Sequence, residues 1–369
     1  MSKFLSNAAF FIVLALTLCS SKPVRVACLD ESAALEYQSE LQRSLGPGYE
    51  VQTFMIGPGG LPDQAKEYLP DVVTINVLDV RRLGSLIEAA RGIYTHPDIF
   101  ICLPQDESAA RIAERTALRY GSDSSKPSEL PALLSKYGWS GPQGKRVVFI
   151  GDSITDGNWG EGRWEKDGPT PSERRSNYDF NHIFGHGYQA IIASHYLSEY
   201  PQLRYRFYNR GISGDTLEGL SARWDKDVIS LRPDVLNVFV GINDSAGKTP
   251  ENFDFARWES LYRNLIEKAK AENPDIKVVL CCPFIVEIAQ VGGSPDFPAR
   301  KEVVQRLAGI VRTIAADCSA TLVPFDELIY GLVGENEAGN AKYWSWDGIH
   351  PTYAAHYKMA MKWIEVGIL

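Results

Sequence analysis

Lys145-Arg146-Val147-Val148-Phe149-Ile150-Gly151-Asp152-Ser153-Ile154-Thr155-Asp156-Gly157 runs four consecutive β-preferring apolar residues into a glycine, an aspartate and a serine. Such a run suits a strand buried on both faces of a parallel sheet, and Gly151 lets the chain turn sharply at its end. The Ser153 hydroxyl is then expected at the carboxyl edge of the sheet, where open α/β sheets bind ligands. Taken alone, Gly-Asp-Ser reads first as a turn capping the next helix. Three later segments turn the reading toward a nucleophile.

Downstream, strands are expected near 147–150, 205–212, 235–241, 277–282 and 321–325, with helices near 184–199, 217–231, 255–272, 299–316 and 353–365. Strands alternating with helices imply a parallel sheet, here an α/β fold built as a three-layer α/β/α sandwich over residues 145–369. Upstream, a smaller α/β domain is expected over 22–120. Its strands are Val24 to Leu29, Glu50 to Ile56, Val72 to Val77 and Ile99 to Leu103, and its helices lie near Ala33 to Leu45 and Arg82 to Arg91. The two halves echo each other: Arg25-Val26-Ala27-Cys28-Leu29-Asp30-Glu31-Ser32 lies over Arg146 to Ser153, and Pro70-Asp71 and Pro97-Asp98 match Pro233-Asp234 and Pro274-Asp275. The first half reads as a shortened internal copy without catalytic function. Asp30 stands where Gly151 does, no Asp-x-x-His follows Ser32, and His96 precedes a strand, at the wrong edge of the sheet. The stretch 121–144, rich in Ser, Pro and Gly, reads as a linker with one helical turn.

Acyl transfer by a serine needs a base, a group that orients the base, and donors for the oxyanion. Trp344-Ser345-Trp346-Asp347-Gly348-Ile349-His350-Pro351-Thr352 sets a carboxylate three residues before an imidazole, within reach to hold the ring in the tautomer that accepts a proton from Ser153. Because orientation can persist without charge, Asp347→Asn is expected to be milder than loss of Ser153 or His350. Asn209-Arg210-Gly211-Ile212-Ser213-Gly214-Asp215-Thr216 ends a strand in two glycines, suited to a backbone that offers an N–H to a ligand, with Gly214 the better donor. Val238-Phe239-Val240-Gly241-Ile242-Asn243-Asp244 ends the next strand in an amide whose NH2 can donate to the same oxyanion.

Gly-Asp-Ser, Ser-Gly-Asp, Gly-Ile-Asn-Asp and Asp-Gly-Ile-His-Pro at successive strand ends together resemble the GDSL, or SGNH, hydrolase family over roughly residues 145 to 367. The resemblance implies a flavodoxin-like sheet of five parallel strands and neither a metal nor an organic cofactor. It also implies Ser153 as nucleophile with Asp347 and His350, and an oxyanion hole of the Ser153 N–H, Gly214 and Asn243. The rival α/β-hydrolase elbow requires Gly-x-Ser-x-Gly, and Thr155 occupies its last position. His182 and His186 have i, i+4 spacing, yet no Glu accompanies them as in a zinc protease, which favours a pocket wall or helix start over metal ligands.

The loop Asn158 to Asn181 is expected to wall the cleft. Trp159 and Trp164 in it, with Trp344 and Trp346, either stack on sugar rings or pack the loop onto the body. The loop is too polar for a long acyl groove. The expected substrate is an acylated glycan or other small ester, hydrolysed by an exported esterase that removes acetyl groups. A lysophospholipase or thioesterase of the same family is the alternative enzyme, and a glycan-binding protein with a vestigial site the alternative of another class.

The 369 residues are 44% hydrophobic, enough for two domains, and the net charge of -8 with no Lys/Arg run argues against nucleic acid or an anionic membrane as partner. Lys3, the apolar run Ala8 to Leu18 and the following Cys19-Ser20-Ser21 read as a signal peptide over 1–21, too short to span a bilayer. Export follows, to the periplasm or beyond. Cys19 is a candidate for lipid attachment, although Leu18 before it is bulkier than a lipobox favours. Cys28, Cys102, Cys281, Cys282 and Cys318 form no CxxC pair, which favours buried thiols; one disulfide stays open.

Overall fold

The structure is a computed structural model that describes residues 19–20, 23–30, 35–45, 48–76, 79–91, 93, 97–137, 143–157, 185–334 and 341–369. Its described residues form two compact units that part between Gly144 and Lys145.

In the first unit, β1 (Cys19–Ser20) pairs antiparallel with β7 (Gln143–Gly144). The main sheet comprises β2 (Val24–Asp30), β3 (Tyr49–Met55), β4 (Val72–Asn76), β5 (Asp98–Cys102) and β6 (Asp123–Ser125), all parallel, in the order β3-β2-β4-β5-β6. Alternate residues of β2 enter opposite cores, as the two-residue period of a strand requires. Ala27 and Leu29 join Leu86, Ile87 and Ala113, from helices Leu83–Arg91 and Glu107–Arg119, on one face. Val26 and Cys28 join Leu41, Leu130 and Leu134 on the other.

That second core corrects the linker reading of 121–144. Asp123–Ser125 is the fifth strand, and helix Leu130–Lys136 buries Leu130 and Leu134 completely. Burying two leucines contributes roughly 3–6 kcal/mol, far more than a connecting segment would gain from the body it joins. The first domain therefore continues to Tyr137.

The second unit carries β8 (Arg146–Gly151), β9 (Arg206–Gly211), β10 (Val235–Phe239), β11 (Lys277–Cys281) and β12 (Thr321–Val323), parallel in the order β12-β11-β10-β8-β9. Renumbered within the unit this is 2-1-3-4-5, the flavodoxin-like order, and the first unit has it too. The expected α/β sandwich with five parallel strands is borne out. Phe149 packs edge-on against Tyr188 of helix Tyr188–Glu199 and tilted against Trp363 of helix Tyr353–Glu365, so both helices cover one face. Helices Phe255–Glu272 and Phe297–Asp317 pack on each other. The helix expected over 217–231 is interrupted: Leu217–Ala222 ends at Arg223, and a π-helical turn follows at Asp225–Ile229.

The Pro-Asp echo has a structural counterpart. Asp71 Oδ2 accepts the Arg25 N–H at 2.9 Å, and Asp234 Oδ2 accepts the Arg146 N–H at 2.8 Å. In each sheet the aspartate opening the third strand holds the entry of the first. Among the described residues no helix is long and apolar enough to cross a membrane. Cys28, Cys102, Cys281 and Cys282 are buried free thiols and Cys318 is a half-buried one.

Candidate active site

The turn after β8 is dictated by what surrounds it. A Cβ on Gly151 would lie 2.3 Å from the Phe239 carbonyl oxygen and 2.6 Å from Thr155 Oγ1, so only glycine fits between the central strand and the turn. Asp152 then caps the one-turn helix Ser153–Asp156, its Oδ1 accepting the Ile154 N–H at 3.0 Å, and Gly157 closes that helix in the left-handed region at φ 62°. Ser153 is the first residue of the helix and 5% exposed. Burial, with Asp244 and Asp215 nearby, pushes the Asp152 carboxyl up to about 7.

The strand end at β9 closes onto this turn from the side. A Cβ on Gly211 would lie 2.2 Å from the Asp156 nitrogen, and Asn209 Nδ2 donates to the Asp156 carbonyl at 3.0 Å. Beyond it, the Asp215 N–H donates to the Ile212 carbonyl at 3.1 Å around a turn whose third residue, Gly214, has φ 89°, a backbone that favours glycine. Ser213 Oγ donates to Asp156 Oδ2 at 2.9 Å and so ties that turn to the helix that begins at Ser153. Asn243 Nδ2 donates to the Asp215 carbonyl at 3.0 Å, which uses one of its two N–H bonds and leaves the other.

The segment before the last helix supplies the imidazole. His350 Nε2 lies 2.8 Å from Ser153 Oγ, and His350 Nδ1 lies 2.6 Å from Asp347 Oδ2. The other Asp347 oxygen accepts the Ile349 N–H at 2.9 Å and the His350 N–H at 2.7 Å. Burial would raise the Asp347 carboxyl, but hydrogen bonds from the His350 ring, the His350 N–H and the Ile349 N–H hold it below the ordinary carboxylate value. Ionised Asp347 can only accept, so Nδ1 carries the proton and Nε2 presents its lone pair to the Ser153 hydroxyl. Gly348, at φ 94°, lets the loop fold back so that its carbonyl accepts the Val286 N–H at 2.8 Å. Trp346 lies flat on the imidazole, with ring centroids 5.6 Å apart and planes 17° apart, and is half exposed.

With that geometry in hand, the sequence profile of the GDSL-like lipase/acylhydrolase family matches residues 149–358. The chain belongs to this family. Membership makes it a carboxylic ester hydrolase and bears out the resemblance read from the four motifs. An acetylxylan esterase of Geobacillus stearothermophilus is 30% identical over 236 residues, covering 61% of this chain and 94% of that protein. Among solved structures, the acetylxylan esterase Axe2 of the same organism is 27% identical, covers 62% of this chain and 96% of its own, and superposes with a TM-score of 0.48. A protein of Parabacteroides merdae described as GDSL-like is 29% identical, covers 61% of this chain and 95% of its own, and gives a TM-score of 0.47.

Within this GDSL-like domain, Ser153, Asp347 and His350 meet directly, and Gly214 and Asn243 are linked through Asp215. Among the described residues, the Ser153 and Gly214 N–H groups donate to no carbonyl. Trp344 is half-buried and packs edge-on against Tyr343 at 4.9 Å, so it fastens the loop rather than facing outward like Trp346. Trp159, Trp164, His182 and Ser32 lie outside the described residues, as does the whole of the loop Asn158 to Asn181 expected to wall the cleft. His186 is exposed, and its N–H donates to the Gly157 carbonyl at 2.7 Å, which suits the helix-start reading.

Three supports escaped the sequence reading. Arg300 holds the segment on both sides of Asn243, with Nε donating to Ser245 Oγ at 3.0 Å and Nη2 to the Ile242 carbonyl at 3.1 Å. Arg223 reaches under the strand ends, donating to the Gly151 and Arg210 carbonyls. Two residues beyond Ser153, Thr155 Oγ1 meets the Tyr188 hydroxyl at 3.1 Å, which accepts from Asn237 Nδ2 at 2.9 Å. Asn237 Oδ1 in turn accepts from Trp363 Nε1 at 2.9 Å and Cys281 Sγ at 3.2 Å. Asp152, by contrast, is the helix cap that Gly-Asp-Ser announces in the sequence.

Proposed function

We propose that the second domain removes small acyl groups, acetyl above all, from a carbohydrate through an acyl-enzyme on Ser153. The observation that carries this reading is the unbroken line Ser153 Oγ, His350 Nε2, His350 Nδ1, Asp347 Oδ2, with separations of 2.8 and 2.6 Å. Ser153 Oγ attacks the ester carbonyl as its proton passes to His350 Nε2. The carbonyl oxygen, now an oxyanion, is met by the Ser153 N–H, the Gly214 N–H and the free N–H of Asn243. His350 gives its proton to the departing sugar oxygen, the C–O bond breaks, and the acyl group stays on Ser153. Water then attacks, losing a proton to His350, and the acid leaves as Ser153 regains its hydrogen. The acetylxylan esterase relative and the half-exposed Trp346 ring beside His350 support a small acyl group on a sugar. p-Nitrophenyl acetate should be turned over at least about tenfold faster than the octanoate, and acetate should be released from acetylated xylan. Preference for the octanoate would move the protein to the lysophospholipase class, and absence of turnover would leave only glycan binding.

The first domain we read as a non-catalytic copy of the second. Supporting this are the shared strand order and the matching Asp71–Arg25 and Asp234–Arg146 contacts. A fragment Lys145–Leu369 should therefore hydrolyse p-nitrophenyl acetate within about threefold of the full chain. Loss of turnover in a folded, monodisperse fragment would show that the first domain completes the site. Residues 1–21 we read as an export signal, which N-terminal sequencing of the protein recovered outside the cytoplasm would test.

A further inference from the structure

Arg223 sits where the expected helix breaks, with φ -117° and ψ 9° at the end of Leu217–Ala222 and a π-helical turn just beyond. Such interruptions recur at functional sites because they re-aim a side chain. Here the guanidinium is carried inward until it is only 13% exposed. Its Nε donates to Asp215 Oδ2 at 2.7 Å, Nη1 to the Arg210 carbonyl at 2.8 Å and to Asp227 Oδ2, and Nη2 to the Gly151 carbonyl at 3.2 Å.

We propose that Arg223 is the positioning residue of the oxyanion hole, an inference that rests on the donor set named in the preceding subsection. Each of the three donors is joined to a residue that this one guanidinium holds, Gly151 through its carbonyl and Asp215 through its carboxylate. Gly151 lies two residues before Ser153 and its carbonyl ends the strand from which the nucleophile turns. Asp215 follows Gly214 directly, so fixing its carboxylate fixes the peptide whose neighbour offers the Gly214 N–H. The Asp215 carbonyl takes one N–H of Asn243, which aims the other. Arg223 touches neither the ester nor His350; it acts through these groups.

A purely structural ion pair predicts something different. Burial draws the Arg223 pKa down, against the attraction of Asp215, so desolvation offsets much of what the pair gains. Replacing both partners of such a pair is often close to neutral for stability, and removing Arg223 alone destabilises by leaving Asp215 and Asp227 uncompensated, but neither effect is selective for kcat; the separations among the three donors depend on a planar fork that binds several acceptors at once. Lysine keeps the charge but has no fork.

The test is steady-state kinetics on p-nitrophenyl acetate for the full chain with Arg223→Lys and Arg223→Met, each with and without Asn243→Ala, alongside thermal melting. Asn243→Ala alone should lower kcat by about a hundredfold to a thousandfold. Arg223→Lys should lower kcat by about tenfold to a hundredfold with KM within about threefold, and part of that loss should vanish in the Asn243→Ala background, because Asn243 is one of the three donors that Arg223 positions. If Arg223→Met does not fold, Gly219→Ala serves instead: its Cβ would lie 2.4 Å from Asp215 Oδ1 and displace that carboxylate while leaving the guanidinium in place. It should show the same kcat-selective loss. Wild-type kcat in Arg223→Lys, or losses that multiply fully with Asn243→Ala, would overturn the proposal. Wild-type kcat in Asn243→Ala would instead overturn the donor assignment itself, a result separable from an Asn243-dependent enzyme that is indifferent to Arg223.

Discussion

Ser153→Ala should lower kcat on a small acetyl ester by about ten-thousandfold to a millionfold, with the melting temperature within a few degrees of wild type. The two halves of this expectation come from different atoms. Ser153 Oγ contacts His350 Nε2, whereas the local fold depends on Asp152 as helix cap, Gly157 as helix end and the collision-free Gly151. Removing one hydroxyl deletes a neutral hydrogen bond worth about 1 kcal/mol and leaves every support of the turn in place. His350→Ala should fall in the same range, and the double variant should be no worse than either single one, because the two residues act as a unit. Turnover of Ser153→Ala at the wild-type rate, after dialysis and sequence verification, would mean that another group attacks the ester.

Asp347→Asn is expected to lower kcat by roughly ten-thousandfold, which revises the milder effect that sequence reasoning suggests. The reason lies in the two backbone donors. The Ile349 and His350 N–H groups both point at Asp347 Oδ1, at 2.9 and 2.7 Å, so an asparagine must place its carbonyl oxygen there. Its NH2 then takes the place of Oδ2, 2.6 Å from His350 Nδ1. Two donors cannot face each other, so the ring gives up the Nδ1 proton and carries it on Nε2, where it no longer accepts from Ser153. Stability should change little. In the wild type, hydrogen bonding holds the Asp347 carboxyl low against its burial, so the aspartate stays ionised as pH falls through the ordinary carboxylate range near about 4. The stability it contributes is accordingly present above that range and is lost only below it. A kcat for Asp347→Asn within tenfold of wild type would show that orientation alone suffices.

The parts of this protein legible in its sequence are those where one residue type meets one backbone requirement. Gly151, Gly214 and Gly348 each stand where a Cβ would collide or where φ is positive, and each lies inside one of the four motifs. β8, β10 and β11 are fully apolar or nearly so because both their faces are covered. β6 escaped because Asp123-Ser124-Ser125 has no strand preference; its pairing with β5 and the leucines that follow hold it in place. Arg223 was invisible for another reason. Its acceptors on Gly151 and Arg210 lie 72 and 13 residues away, and no local pattern records a contact made only after two strand ends are aligned.

The buried chain Thr155, Tyr188, Asn237 and Trp363 has a consequence for motion. Because Asn237 Oδ1 accepts from Trp363 and Cys281, its Nδ2 must be the group that donates to Tyr188, and the Tyr188 hydrogen is left for Thr155. Every donor is thereby assigned a single direction, from the last helix through the central strand to the turn that bears Ser153. All four residues are fully buried, so freeing the turn would strand buried polar groups on three separate elements at once. Local opening there is as costly as opening the core. In hydrogen-exchange terms, the Ser153 turn, the central strand and helix Tyr353–Glu365 should form one cooperative unit, exchanging at the slow, near-global rate rather than the fast rate usual for a loop at a sheet edge.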